Sequence, residues 1–170
     1  WGQRSPHRHR QRSDPVVTQV DQRTTYDCAA AVLHATLTDE TYWQYRIAEI
    51  GGGSRVVEHR VEEGLITSVV DQDLEAAALP KALRRFAGAS MSARCTESWQ
   101  PLSDDGSAQG HYTLRVTKMP VVIDGGLELV ATGAQQCVLR FVGTVDAPIP
   151  VMGPVVEKIM VGEIDKSFSV

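Results

Sequence analysis

No apolar run in this sequence approaches the ~20 residues that a membrane-spanning helix needs, so insertion into a membrane is not expected. Cysteine is scarce: Cys28, Cys95 and Cys137 are odd in number and lack a close Cys-x-x-Cys spacing. That argues against a zinc site or a disulfide framework and for reduced, buried thiols. The signatures of nucleophilic and phosphate chemistry are missing too, with no Gly-x-Ser-x-Gly, no phosphate loop and no His-Glu-x-x-His. His34, His59 and His111 stand far apart on separate predicted elements, so neither a metal nor a cofactor is expected. The arginine-rich start has no apolar stretch after it, which excludes a secretory signal there and makes a cytoplasmic protein the expectation.

The charge that is present is uneven. The formal net charge is −4, yet residues 1–15 hold Arg4, Arg8, Arg10 and Arg12 against Asp14 alone, leaving 13 basic and 20 acidic side chains in the remainder. An acidic body is poorly suited to a phosphate backbone, so a nucleic-acid partner is not expected. Residues 1–15 are polar and without periodicity and read as a disordered basic arm. Residues 16–170 form one domain of ordinary hydrophobic content, 42% over the chain, large enough for a core and an internal cavity.

The clearest element is the last. After the punctuation of Pro148, Pro150 and Gly153, Pro154 suits a first helical position. Val155, Val156, Ile159, Met160 and Ile164 then recur at helical spacing, while Glu157, Lys158 and Asp165 fall outside that arc. The spacing predicts an amphipathic helix over 154–168 whose apolar face must be covered. At the other end, residues 16–25 read as a strand, and Asp27 and Asp39 as N-caps of two short helices over 28–37 and 40–47. Strands follow over 54–62 and 65–74, joined by a tight turn at Glu63-Gly64, with a short helical or irregular connection over 79–86. Residues 90–100 alternate cleanly, Met91, Ala93, Cys95 and Trp99 sharing one face. Three further strands over 111–118, 121–131 and 135–146 complete the set, with Gly125-Gly126 suited to a bulge or bend. Short connections at this spacing predict an antiparallel meander that curls into a concave sheet.

The order strand, two short helices, long meander, terminal helix resembles the START-like helix-grip superfamily. The stretch TYDCAAAVLHATLTDETYWQYRI, with Leu37, Thr38, Asp39, Tyr42 and Trp43, is similar to the opening of a largely actinobacterial family of unknown function within it. Leu79-Pro80, the Glu97-x-Trp99 strand and the PIPVMGPVVEKI lead-in to the last helix are similar as well, so the likeness spans about residues 16 to 168. The basic arm is not part of it. The resemblance implies an α+β fold in which a curved antiparallel sheet grips the C-terminal helix around a cavity for an apolar ligand. It carries over no catalytic residue.

Candidate site residues come from breaks in the apolar pattern. Glu163 falls near the middle of the last helix's apolar arc, and Glu97 shares the strand parity of Met91, Cys95 and Trp99. An ionised carboxylate in a dry core is costly, so each must meet water, a partner or a cavity. His59 alternates with Val57 and Val61 and poses the same question. Met91, Trp99, Tyr112, Phe141, Val156, Ile159 and Met160 either fill the core or line a pocket, which is typically apolar with a few placed polar groups. The leading expectation is binding or carriage of a lipid, polyketide or isoprenoid, with Glu97, Tyr112 or Glu163 orienting a polar end. The rivals are a cyclase or aromatase with a cavity carboxylate as base and an interaction module using the outer face of the sheet.

Overall fold

Among the described residues, alternation of inward apolar and outward polar side chains gives seven strands between Thr18 and Asp146, with two helices after the first, a short one after the third and a terminal one after the last. The computed structural model describes residues 17–50, 53–74, 81–84 and 91–168. The expected basic arm, residues 1–15, lies outside these, as does Leu79-Pro80. Among the described residues the chain runs β1 (Thr18–Tyr26), α1 (Ala30–Leu37), α2 (Glu40–Ile50), β2 (Arg55–Glu62), β3 (Leu65–Leu74), α3 (Lys81–Arg84), β4 (Met91–Trp99), β5 (Ala108–Val116), β6 (Val122–Gly133), β7 (Gln136–Asp146) and α4 (Gly153–Phe168).

Every pairing is antiparallel, in the order β1-β7-β6-β5-β4-β3-β2. β1 and β2 are therefore opposite edges of one open sheet. The α1–α2 segment crosses from one to the other, with α1 against β6 and β7 and α2 against β2. Glu63 and Gly64 both have positive φ, 50° and 86°, the left-handed pair that a two-residue hairpin requires.

Gly125-Gly126 does not bulge β6. Register is unbroken there, and the irregularity falls between Ala131 and Gly133. Gly125 serves close approach instead. It pairs with Gly143 on β7 under the Phe141 ring, and a Cβ on Gly125 would lie 2.6 Å from that ring and 2.7 Å from the Gly143 Cα. The two glycines let Phe141 fold flat over the sheet, where it is fully buried with Leu129, Cys137 and Val145.

The helix ends show where local signals prevailed. Asp39 caps α2, accepting at Oδ1 from the backbone N–H of Thr41 (2.6 Å) and of Tyr42 (3.4 Å). Asp27 does not cap α1, which starts two residues later than expected, with Ala29 as N-cap and no side-chain cap bond. On α4, Val155 is exposed although it belongs to the expected apolar arc, and Glu157 is buried although it falls outside. The reason is tertiary: α4 lies against β1 and β7, which extends the covered surface round to Glu157. There the carboxylate accepts from Thr18 Oγ1 (2.5 Å) and the Ala147 N–H (3.3 Å), tying the helix to the start of β1 and the end of β7, which lie side by side.

The convex face exposes Val130 and Val142 but pairs its charges. Arg140 clamps Asp21 with two bonds (2.8 and 2.7 Å), which hold that carboxyl at about 2. Arg94 holds Asp71 in the same bidentate way (2.7 and 2.8 Å), with Arg55 as a second partner at 2.9 Å.

Candidate functional site

The strands that curl around α4 do not fill the space beneath it. A cavity of about 600 Å³ remains between the concave face, α2 and α4, inside the range of about 300–1,000 Å³ usual for small-molecule sites. Period-two alternation builds its longest wall: Met91, Ala93, Cys95, Glu97 and Trp99 of β4 all point in.

The wall changes character along β4. At the Met91 end the neighbours are an apolar cluster of Leu74, Val116, Met119, Val121 and, from α4, Val156 and Ile159, with the uncharged Gln72 of β3 beside it. At the Trp99 end polar groups converge. Trp99 Nε1 donates to Glu97 Oε1 at 2.7 Å. Tyr112 pairs with Glu97 across β4 and β5, bonds the Cys95 thiol, and packs edge-on against Phe141 with ring centroids 5.9 Å apart.

Burial controls the protonation of this cluster. It raises the Glu97 carboxyl above its ordinary value, against the pull of the Trp99 bond and of Arg46. It pushes the Cys95 thiol up to about 12, helped by Glu97, which leaves the thiol inert as a nucleophile. The Tyr112 phenol is raised well above its usual range, first by burial and then by Cys95 and Glu97.

α2 supplies the cation. Tyr42, Trp43, Arg46 and Ile47 face the cavity. Trp43 is fixed by its Nε1–H bond to the Leu37 carbonyl (2.9 Å), and the Arg46 guanidinium lies 5.4 Å over its ring. Burial works against the charge on Arg46, but Tyr42, Glu97, Cys95 and Tyr112 more than offset it and leave the group above its ordinary value.

Of the residues singled out from sequence, Met91, Glu97 and Trp99 on β4, Tyr112 on β5 and Phe141 on β7 lie on the cavity wall. Val156, Ile159, Met160 and Glu163 reach it from α4, Glu163 as an exposed residue at the rim. Ile159 meets the Met91–Met119–Val121 cluster, not the row Cys137, Leu139 and Phe141. His59 is not part of the wall. It sits on the edge strand β2, its Nδ1 3.0 Å from Ser68 Oγ. Sequence reasoning missed Arg46. The signal was present, because Arg46 lies on the helical arc of Tyr42, Trp43 and Ile47, the same break in apolar pattern that exposes Glu97.

Residues 21–169 match a described family of proteins of unknown function, DUF2505. The chain belongs to that family. No curated protein matches the sequence. Among solved structures, human STARD10 superposes with a TM-score of 0.56 at 18% identity, over 92% of this chain and 62% of its own. The Zhui aromatase/cyclase from Streptomyces sp. R1128 gives 0.54 at 12% identity, over 89% of this chain and 86% of its own. A dicamba monooxygenase gives 0.54 at 16% identity, over 88% of this chain but only 45% of its own. Likeness at these identities is likeness of fold: this DUF2505 member is a START-like helix grip, as its element order implies. Among the described residues no helix is long and apolar enough to cross a membrane, and no three His, Cys, Asp or Glu side chains are grouped to hold a metal ion.

Proposed function

We propose that the protein is a cytoplasmic binder or carrier of a hydrophobic small molecule of the lipid, polyketide or isoprenoid class, held between the sheet and α4. One observation carries the reading: a cavity of about 600 Å³ whose wall is mostly aliphatic, aromatic and thioether side chains. Apolar burial at roughly 25 cal/mol per Å² supplies the affinity, and the few polar groups at the Trp99 end fix orientation. Native mass spectrometry of gently purified protein tests it. A co-purifying adduct that organic extraction removes is expected. A bare mass, together with no uptake of an apolar fluorescent probe, contradicts it.

A second reading has a specific observation in its favour. Glu97, Arg46 and Tyr112 converge in the cavity, and a buried carboxyl with a raised pKa suits a general base of the cyclase or aromatase kind. The recovered molecule separates the two. A carrier returns it unchanged, whereas an enzyme alters it in the wild type and not in Glu97→Gln. The third rival, an interaction module, draws no support from the convex face, where Asp21–Arg140 and Asp71–Arg94 satisfy one another.

A further inference from the structure

We propose that the ligand is a monocarboxylic acid with a large apolar body, its carboxylate seated on Arg46 and its body running along β4 towards Met91. The proposal rests on the reading that the cavity takes an apolar ligand, and adds the chemistry of its head.

Arg46 carries the argument. A guanidinium has five N–H donors in a rigid fork and keeps its charge at any physiological pH. In this structure its only hydrogen bond to a described residue is a long one, Nη1 to the Tyr42 hydroxyl at 3.5 Å. Its other contact is the face of Trp43. The surface arginines Arg94 and Arg140, by contrast, reach their carboxylates at 2.7–2.8 Å. Arg46 has no carboxylate at ion-pair distance among the described residues, although Glu97 is close enough to be felt. Glu97 is held back by its own bond to Trp99. A half-buried cation with unspent donors, stacked so that its fork is fixed, is a preorganised acceptor of an anion.

The charge count of the cavity selects among anions. Among the described residues its wall holds one cation, Arg46, and two carboxyl groups, Glu97 and Glu163. A phosphate monoester brings close to two negative charges into a place with one positive charge and a neighbouring acid. A carboxylate brings one, and its two oxygens match the guanidinium fork. An alcohol leaves the fork unmet, and an amine is repelled by it. The gradient along β4 then sets direction, because the Met91 end is lined by Met119, Val121, Val156 and their apolar neighbours, with the uncharged Gln72 beside them.

Displacement of phenylnaphthylamine, an uncharged fluorescent probe, tests the assignment near neutral pH. Two matched pairs compete: palmitic acid against cetyl alcohol for a flexible body, and pyrenebutyric acid against pyrenebutanol for a rigid one, with cetyl phosphate as the dianionic arm. In the wild type at least one acid should outcompete its alcohol by about tenfold, equivalent to about 1.4 kcal/mol, and palmitic acid should outcompete cetyl phosphate. Arg46→Gln should bring the acid-to-alcohol ratio to about one while the probe still binds. Arg46→Lys, which keeps charge and loses the fork, should retain part of the preference. Equal binding of acids and alcohols by the wild type overturns the proposal without any variant, as does an acid preference that survives Arg46→Gln. Tighter binding of cetyl phosphate overturns the carboxylate assignment. If neither probe nor any competitor binds the wild type, the cavity reading itself fails, and this inference with it.

Discussion

The two ends of the cavity are made from the same strands and treat polar groups in opposite ways. Around Met91 the described lining is apolar but for the uncharged Gln72, which sits on β3 opposite Ala93. Around Trp99, eight residues further along the same strand face, a carboxyl, a phenol, a thiol and a guanidinium share one space, and each is held by a neighbour that shifts its proton affinity. The difference comes from what roofs each end. The first turns of α4 bring Val156 and Ile159 over Met91, whereas α2 brings Tyr42 and Arg46 over Glu97. A period-two strand supplies a wall, and the helix laid over it decides whether that wall is a greasy lining or a polar anchor.

The largest effect expected from breaking this contrast is in stability. Trp99 is 1% exposed and donates to a buried carboxyl. Trp99→Ala should cost at least about 3–5 kcal/mol, the range for truncating a buried aromatic, with the orphaned Glu97 carboxyl adding to it. Met91 borders empty space and has fewer partners to lose, so Met91→Ala should fall near about 2 kcal/mol, the low end for a buried aliphatic. Urea denaturation measures both, and the reverse order would contradict the account.

The next effect depends on pH. Burial raises the folded-state pKa of Glu97, so the folded protein prefers the protonated carboxyl. The stability this contributes is fully present below the unfolded value of about 4.3 and is lost as pH rises through the raised folded value. Urea midpoints of wild type and Glu97→Gln should therefore diverge on raising the pH, with the wild type losing ground to the variant. A wild type that gains relative to Glu97→Gln would show that the site stabilises the carboxylate.

The smallest effect belongs to His59, outside the cavity on the edge strand. His59→Ala should cost about 1 kcal/mol, one ordinary hydrogen bond, and leave uptake of an apolar probe unchanged. Impaired uptake would extend the site to β2.

How far these features can be read from sequence depends on whether a near-neighbour pattern determines them. The β4 alternation is local, so Met91, Glu97 and Trp99 are legible as one face. Asp39 announces α2 because a cap acts over two or three residues. Glu157 is illegible because Thr18 approaches it from 139 residues away and the Ala147 N–H lies outside its own helix. Gly125 looks like a bend in sequence and is close packing in space, since the Phe141 ring and Gly143 that approach it lie on the neighbouring strand β7. His59 has the right parity, but parity does not say that β2 is the sheet edge. Arg46 was within reach, because the test applied to Glu97 works equally on the arc Tyr42, Trp43, Arg46 and Ile47.

The central claim is that the space under α4 is a binding cavity and not a filled core, and Ile159→Trp tests it most directly. Ile159 lines the cavity at its apolar end. In a filled core the larger ring overpacks and costs about 1–3 kcal/mol. In a cavity of about 600 Å³ it occupies free space, so the urea midpoint should stay close to that of the wild type while fluorescence titration shows phenylnaphthylamine uptake by the wild type and none by the variant. A variant that unfolds, beside a wild type that takes up no probe, would contradict the claim and leave α4 as a plug.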